Sequence, residues 1–142
     1  MISSQDQKLI TLLRANARAS VTDLARTLNL SRSTVQNRLA RLEASGVIRG
    51  YSVQLGGEYL AGQVAAHVSI KVHQKLTART NAALEGMAEV IQLFSVSGEY
   101  DLIAVVQARS LEELSRLLDD IGNLEGVERT NSAVVLETRF RR

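Results

Sequence analysis

The groups best equipped to read another molecule lie between Ser31 and Arg41. With Val35, Leu39 and Leu42 taken as the buried side of a helix, a step of about 100° per residue turns Ser33, Thr34, Gln36, Asn37 and Arg41 outward. Arg32 and Arg38 fall at the edges of that face, and Ser31 stands at its head. Asn and Gln bond adenine bidentately in the major groove of duplex DNA, while Arg and short hydroxyls reach phosphates or guanine. Any solvated helix is polar outside, but solvation alone does not explain three arginines with only Glu43 near them in the sequence.

Other chemistries are poorly supplied. The chain of 142 residues has no Cys, which removes disulfides, thiol nucleophiles, iron–sulfur clusters and cysteine zinc sites, and suits a reducing cytoplasm. Only His67 and His73 offer imidazole, too few for a three-His zinc site and hard to build into a Ser/His/Asp triad. Neither enzymatic activity nor a metal or other cofactor is expected. With no Trp and five Phe plus Tyr, stacking of single-stranded bases is disfavoured. Charge is uneven: residues 1–50 carry eight basic and three acidic side chains, a balance of +5, and the remainder is −3. A basic front on an acidic back expects a polyanion at the N-terminal part only.

Three helices position the candidate face. Leu9, Ile10, Leu13 and Ala17 share one side of the first, which spans about Gln5 to Ala15 behind a capping box read as Ser4 with Gln7. Ser20 with Asp23 starts a second, in which Val21, Leu24, Ala25 and Leu28 follow helical spacing. Asn29 suits a left-handed turn and Ser31 an N-cap, so a third helix follows at once, from about Arg32 to Ser45, and Gly46 ends it. Two helices joined so tightly make a helix-turn-helix. Val47 to Leu55 alternates around Gly50 as a small β-hairpin or wing, and three glycines between Gly56 and Gly62 mark a linker.

Beyond the linker the period becomes two. Val64 to Val72 alternates as a strand, Thr77 to Met87 is helical, and Glu89 to Val96 and Leu102 to Ala108 are strands about a turn at Gly98. Ser110 caps a helix carrying Leu111, Leu114, Leu117, Leu118 and Ile121, and Val127 to Phe140 supplies the last strand. Leu84-Glu85-Gly86-Met87 recurs as Leu124-Glu125-Gly126-Val127, marking two similar halves. The expectation is an α+β chain: a winged helix-turn-helix over residues 1–55, a linker over 56–62, and a ferredoxin-like βαββαβ domain over 63–142. Leu102 to Val106 and Ala133 to Leu136 are apolar on both faces, yet the helices suffice to cover one, so the bare face should pair with a second copy, and His67 and His73 are assigned to that surface. The longest apolar runs are far short of the roughly 20 residues of a membrane helix, and the first residues lack the basic flank and apolar run of a secretory leader.

Asp6-Gln7-Lys8-Leu9-Ile10, Ala25 to Ser31, Arg38-Leu39-Ala40-Arg41-Leu42-Glu43 and Gly46 to Tyr51, with Gly98-Glu99-Tyr100-Asp101 and Val134-Val135-Leu136 later, together resemble the Lrp/AsnC (feast/famine) transcriptional regulators over the whole chain. The resemblance implies a dimer on double-stranded DNA, assembly into a larger ring such as an octamer, and a small effector, commonly an amino acid, between dimers. For such a zwitterion, Asp101 could meet the ammonium, backbone N–H groups around Gly98 the carboxylate, and Tyr100, Thr130 and Ser132 could add hydrogen bonds. Gly98 also serves a plain hairpin turn, and Asp101 can bond its own loop. Two rivals remain at this stage: a tetrapyrrole decarboxylase-like enzyme of similar fold, and a metabolite-sensing regulatory subunit without DNA affinity.

Overall fold

Serine caps set the starts of the first three helices in the computed structural model, which describes all 142 residues. The chain divides into two compact units, Met1–Gln54 and Leu55–Arg142. In the first, α1 (Ser4–Ala15), α2 (Val21–Leu28) and α3 (Arg32–Ala44) begin at Ser3, Ser20 and Ser31, whose hydroxyls accept the N–H of Asp6, Asp23 and Thr34. A cap of this kind stabilises a helix by about 1 kcal/mol. The first cap lies one residue before the expected Ser4 and Gln7. Ser3 and Asp6 close the reciprocal box instead, because a carboxylate suits the positive end of the helix better than an amide. Asn29, at φ 55 and ψ 47, makes the left-handed turn from α2 toward Ser31. Leu9, Leu13, Leu24, Ala25, Val35 and Leu42 form the core of this unit.

The hairpin expected from Val47 to Leu55 does not form. Val47, Tyr51, Val53 and Leu55 alternate but stay exposed, and no strand lies between α3 and Gln63. Alternation yields a strand only where a second strand accepts its backbone hydrogen bonds, and this chain supplies none there. Gly57 to Gly62 is a run of turns.

The second unit runs β1 (Val64–Val72), a 3-10 turn at Gln74–Leu76, α4 (Thr77–Glu85), β2 (Val90–Ser95), β3 (Leu102–Ala108), α5 (Leu111–Gly122) and β4 (Val127–Val134). The strands lie β2-β3-β1-β4, each pair antiparallel, in the βαββαβ arrangement. Ala66, Val68, Ile70 and Val72 of β1 and Leu102, Ala104, Val106 and Ala108 of β3 pack with Leu84 of α4 and Leu114, Leu117 and Ile121 of α5. Both helices thus cover one side of the sheet. On the other side Ile103 and Val105 are half-buried and Phe94 is exposed, and neither helix of this unit covers them. His67 sits on that open side, opposite Val105 and Ala133, whereas His73 lies beyond the end of β1. β4 stops at Val134, short of the expected Phe140. The Val135 N–H still donates to the Ala65 carbonyl at 2.8 Å, but β1 begins at Val64 and offers nothing further to pair with. Leu136 and Phe140 are accordingly 95% and 74% exposed. No helix is long and apolar enough to cross a membrane.

Candidate nucleic-acid interface and effector turn

Burial of Val35 and Leu42 in the first unit's core fixes which side of α3 is free. Ser31, Arg32, Ser33, Gln36, Asn37 and Arg41 are exposed, and Thr34 is half-buried. At the head of the helix the Ser31 hydroxyl gathers the Thr34 hydroxyl at 2.7 Å and the Ser33 hydroxyl at 3.2 Å while it caps Thr34 N–H. Ser31 and Thr34 are thereby partly engaged in holding the helix start. Arg32, Gln36, Asn37 and Arg41 take part in none of the side-chain hydrogen bonds or ion pairs of this unit, so their donors and acceptors stand open to a ligand. Glu43, the one carboxylate sequence places near this face, accepts from the Tyr51 hydroxyl at 2.8 Å rather than from an arginine.

Arg38 departs from the expected set. Its Nη1 donates to Asp6 Oδ1 at 2.9 Å and to Ser3 Oγ at 3.1 Å, so its charge is turned back onto the start of α1. The backbone N–H of Ser3 and then the Arg38 guanidinium hold the Asp6 carboxyl down to about 2, against an ordinary 3.8. A carboxyl with a lowered pKa adds stability above its ordinary value and loses it as pH falls through the folded one. Thermal melts of the first unit should therefore approach those of Asp6→Asn as pH falls from about 4 through about 2, and coincide only below that. A gap between wild type and Asp6→Asn that stays constant down to pH 2 would contradict this. Sequence reasoning missed Asp6; reading the cap as Ser3 with Asp6 would have placed it, but no local pattern signals its partner on α3.

The turn between β2 and β3 gathers a second set. Gly98 has φ 111, and Asp101 closes the turn: Val96 N–H donates to its carbonyl at 3.0 Å, and its own N–H donates to the Ile70 carbonyl at 3.0 Å. Its Oδ2 accepts Val72 N–H at 2.9 Å and lies 3.8 Å from Lys71 Nζ. Asp101 thus stitches the turn to the end of β1 and arrives at any ligand already engaged. Tyr100 lies under the Arg129 guanidinium, 5.2 Å from ring centre, and Arg129 holds Glu99 at 2.6 Å. Ser69, Ser95, Val96, Ser97, Glu99, Tyr100 and Ile103 line an open depression of about 620 Å³ here. Thr130 and Ser132 do not join it. Each lies opposite a β1 residue of the helix-covered side, Ile70 and Val68, whereas Ser69 and Ile103 belong to the open side. No cluster of three or more His, Asp or Glu suited to a metal ion occurs.

Residues 64–142 match the family described as Lrp/AsnC ligand binding domain, and residues 2–49 match winged helix-turn-helix DNA-binding. An uncharacterised HTH-type transcriptional regulator of Pyrococcus furiosus is 34% identical over 96% of this chain and 92% of its own. The feast or famine regulatory protein of Mycobacterium tuberculosis, solved as a complex with L-methionine, superposes with a TM-score of 0.89 at 33% identity, covering 99% of this chain and 96% of that one. The structure of Escherichia coli AsnC, at 24% identity, gives 0.89 over 100% and 97% and bears on the fold.

Proposed function

The chain belongs to the Lrp/AsnC family of DNA-binding transcriptional regulators, and on that premise we propose that the free side of α3 reads base edges in the major groove while the turn at Gly98 senses an amino acid. The observation that carries the reading is the row Arg32, Gln36, Asn37 and Arg41, exposed and without partners on a helix whose other side is buried. Gln36 and Asn37 supply bidentate amides for adenine; Arg32 and Arg41 supply charge for phosphate or guanine; Ser31, Ser33 and Thr34 supply hydroxyls at the positive end of the helix.

The open side of the sheet, with Phe94 exposed and Ile103 and Val105 half-buried, supports pairing with a second copy through that side. A dimer presents two copies of α3 to half-sites one helical turn or a multiple apart, so the operator should be near-palindromic. On the family membership we also propose assembly beyond the dimer, such as an octamer, and residence in the reducing cytoplasm. The L-methionine of the Mycobacterium tuberculosis relative supports a zwitterion as effector. At the turn, Tyr100, the Gly98 backbone and the three serines of the depression would hold it, and Asp101 would act through its ties to Val72 and Lys71.

Selection of duplexes from a random pool, with and without a mixture of amino acids, tests operator and effector together. On the selected operator Asn37→Ala should cost about 1–3 kcal/mol and on random DNA little, while Arg41→Ala should weaken both. Equal loss on both DNAs from every substitution along the row would refute base reading.

A further inference from the structure

We infer that Arg38 positions the reading helix through Asp6 and does not itself hold DNA, an inference that rests on α3 being the reading element. Three features of the molecule carry it. Arg38 lies three residues after buried Val35 and four before buried Leu42, at the border of the inward stripe, and its side chain is only 21% exposed. Its Nη1 is spent on Asp6 and Ser3, and its Nε is buried without a partner, so this guanidinium is set into the protein rather than extended from it. Asp6 is more enclosed still, at 11%, with Oδ2 taking Ser3 N–H at 3.1 Å and Oδ1 taking Arg38. The Arg38 Nη1, both Asp6 carboxylate oxygens and the Ser3 cap are joined in one set of hydrogen bonds.

The third feature is what else joins α1 to α3. The backbones of α1 and α3 come less close to each other than those of α2 and α3 or of α1 and α2, and the side-chain hydrogen bonds that join α3 to the α1 region all come from Arg38, to Asp6 and to Ser3. Val35 and Leu42 of α3 share the unit's apolar core with Leu9 and Leu13 of α1, but apolar packing is non-directional and resists a small roll of α3 only weakly. The Arg38–Asp6 pair is the directional tie from α3 to α1, across 32 residues of sequence, and would fix the rotation that apolar packing leaves loose. At the outer radius of a helix with side chains, about 5–6 Å, a roll of about 10° moves donor and acceptor atoms by about 1 Å. A bidentate bond to a base edge does not survive such a shift, given the narrow range of hydrogen-bond lengths, whereas a long arginine can follow a phosphate. Loss of the pair should therefore erode discrimination between DNA sequences more than affinity for DNA as such.

The test is binding of the full chain to the selected operator and to a random duplex over a range of salt, for wild type, Arg38→Met, Asp6→Asn and the double variant. Methionine keeps the apolar stem of Arg38, and Asn keeps the shape of Asp6. The expected result is that each single variant lowers operator preference by about tenfold and that the double variant is no worse than either, as for two ends of one interaction. The slope of log affinity against log salt should match wild type throughout. A slope reduced by about 0.9 in Arg38→Met, with Asp6→Asn harmless, would make Arg38 a phosphate contact and overturn the inference. So would variants that melt earlier yet keep full operator preference while folded, the mark of a purely structural pair. Should Arg38→Met melt below the assay temperature, Asp6→Asn and the charge-keeping Arg38→Lys carry the comparison. Failure of base reading itself is distinct: wild type would then show no operator preference, and the salt slope of Arg38→Met would still decide whether Arg38 touches phosphate.

Discussion

Leu9→Ala is expected to unfold the first unit and abolish duplex binding while leaving the sheet unit folded. Leu9 is fully buried, one of six residues in the core of a unit of about 54 residues. Truncating a buried leucine costs about 3–5 kcal/mol, lost transfer energy plus the cavity left behind. At roughly 0.05–0.15 kcal/mol per residue the unit holds about 3–8 kcal/mol in all, so one truncation removes most of it. Amide spectra would report it directly: resonances of α1 to α3 should collapse to unfolded positions while those of the β-strands persist. Unchanged dispersion in α1 to α3, with operator binding intact, would overturn the expectation.

The second large effect separates two glycines that the sequence repeats. Gly126 has φ +95, and a Cβ there would lie 2.5 Å from Thr80 Oγ1 and 2.8 Å from Leu76 Cβ. The Thr80 hydroxyl is itself fixed, 3.0 Å from the carbonyls of Leu76 and Glu125. Gly126→Ala thus combines a left-handed backbone, about 1–2 kcal/mol, with overpacking of about 1–3 kcal/mol, and should cost about 2–5 kcal/mol in the second unit. Gly86, its counterpart in the repeated Leu-Glu-Gly motif, has ordinary φ of −73, and a Cβ there meets nothing closer than 3.5 Å. Gly86→Ala should stay within about 0.5 kcal/mol of wild type or stabilise slightly by restricting the unfolded chain. Denaturant midpoints of the two variants, measured side by side, check the contrast; equal midpoints would refute it.

Much of this architecture was legible because its signals are local. Caps act over three residues and periodicity over a turn or two, so α2, α3, β3 and α5 fall where their residues place them, and alternation in β1 marks the covered side through Val68 and Ile70. What escaped depends on partners far along the chain. The apolar alternation of Val47 to Leu55 has no strand to pair with, and the end of β4 is set by where β1 begins, which Val135 and Leu136 do not announce. Polar residues fall on both sides of β4, so Thr130 and Ser132 could not be assigned a side until their register against Ile70 and Val68 was known. Arg38 and Asp101 have the residue types of ligand contacts, yet Asp6 and Val72, 32 and 29 residues away, engage them first.

The stitch from Asp101 to Val72 has a mechanical consequence. β1 lies between β3 and β4, so both its edges are bonded. It cannot slide, because a shift of one residue would turn Val68 and Ile70 out of the core. The Gly98 turn is thus moored to a strand held in register on both edges, and it cannot shift without breaking the Val72 N–H bond or carrying the end of β1 with it.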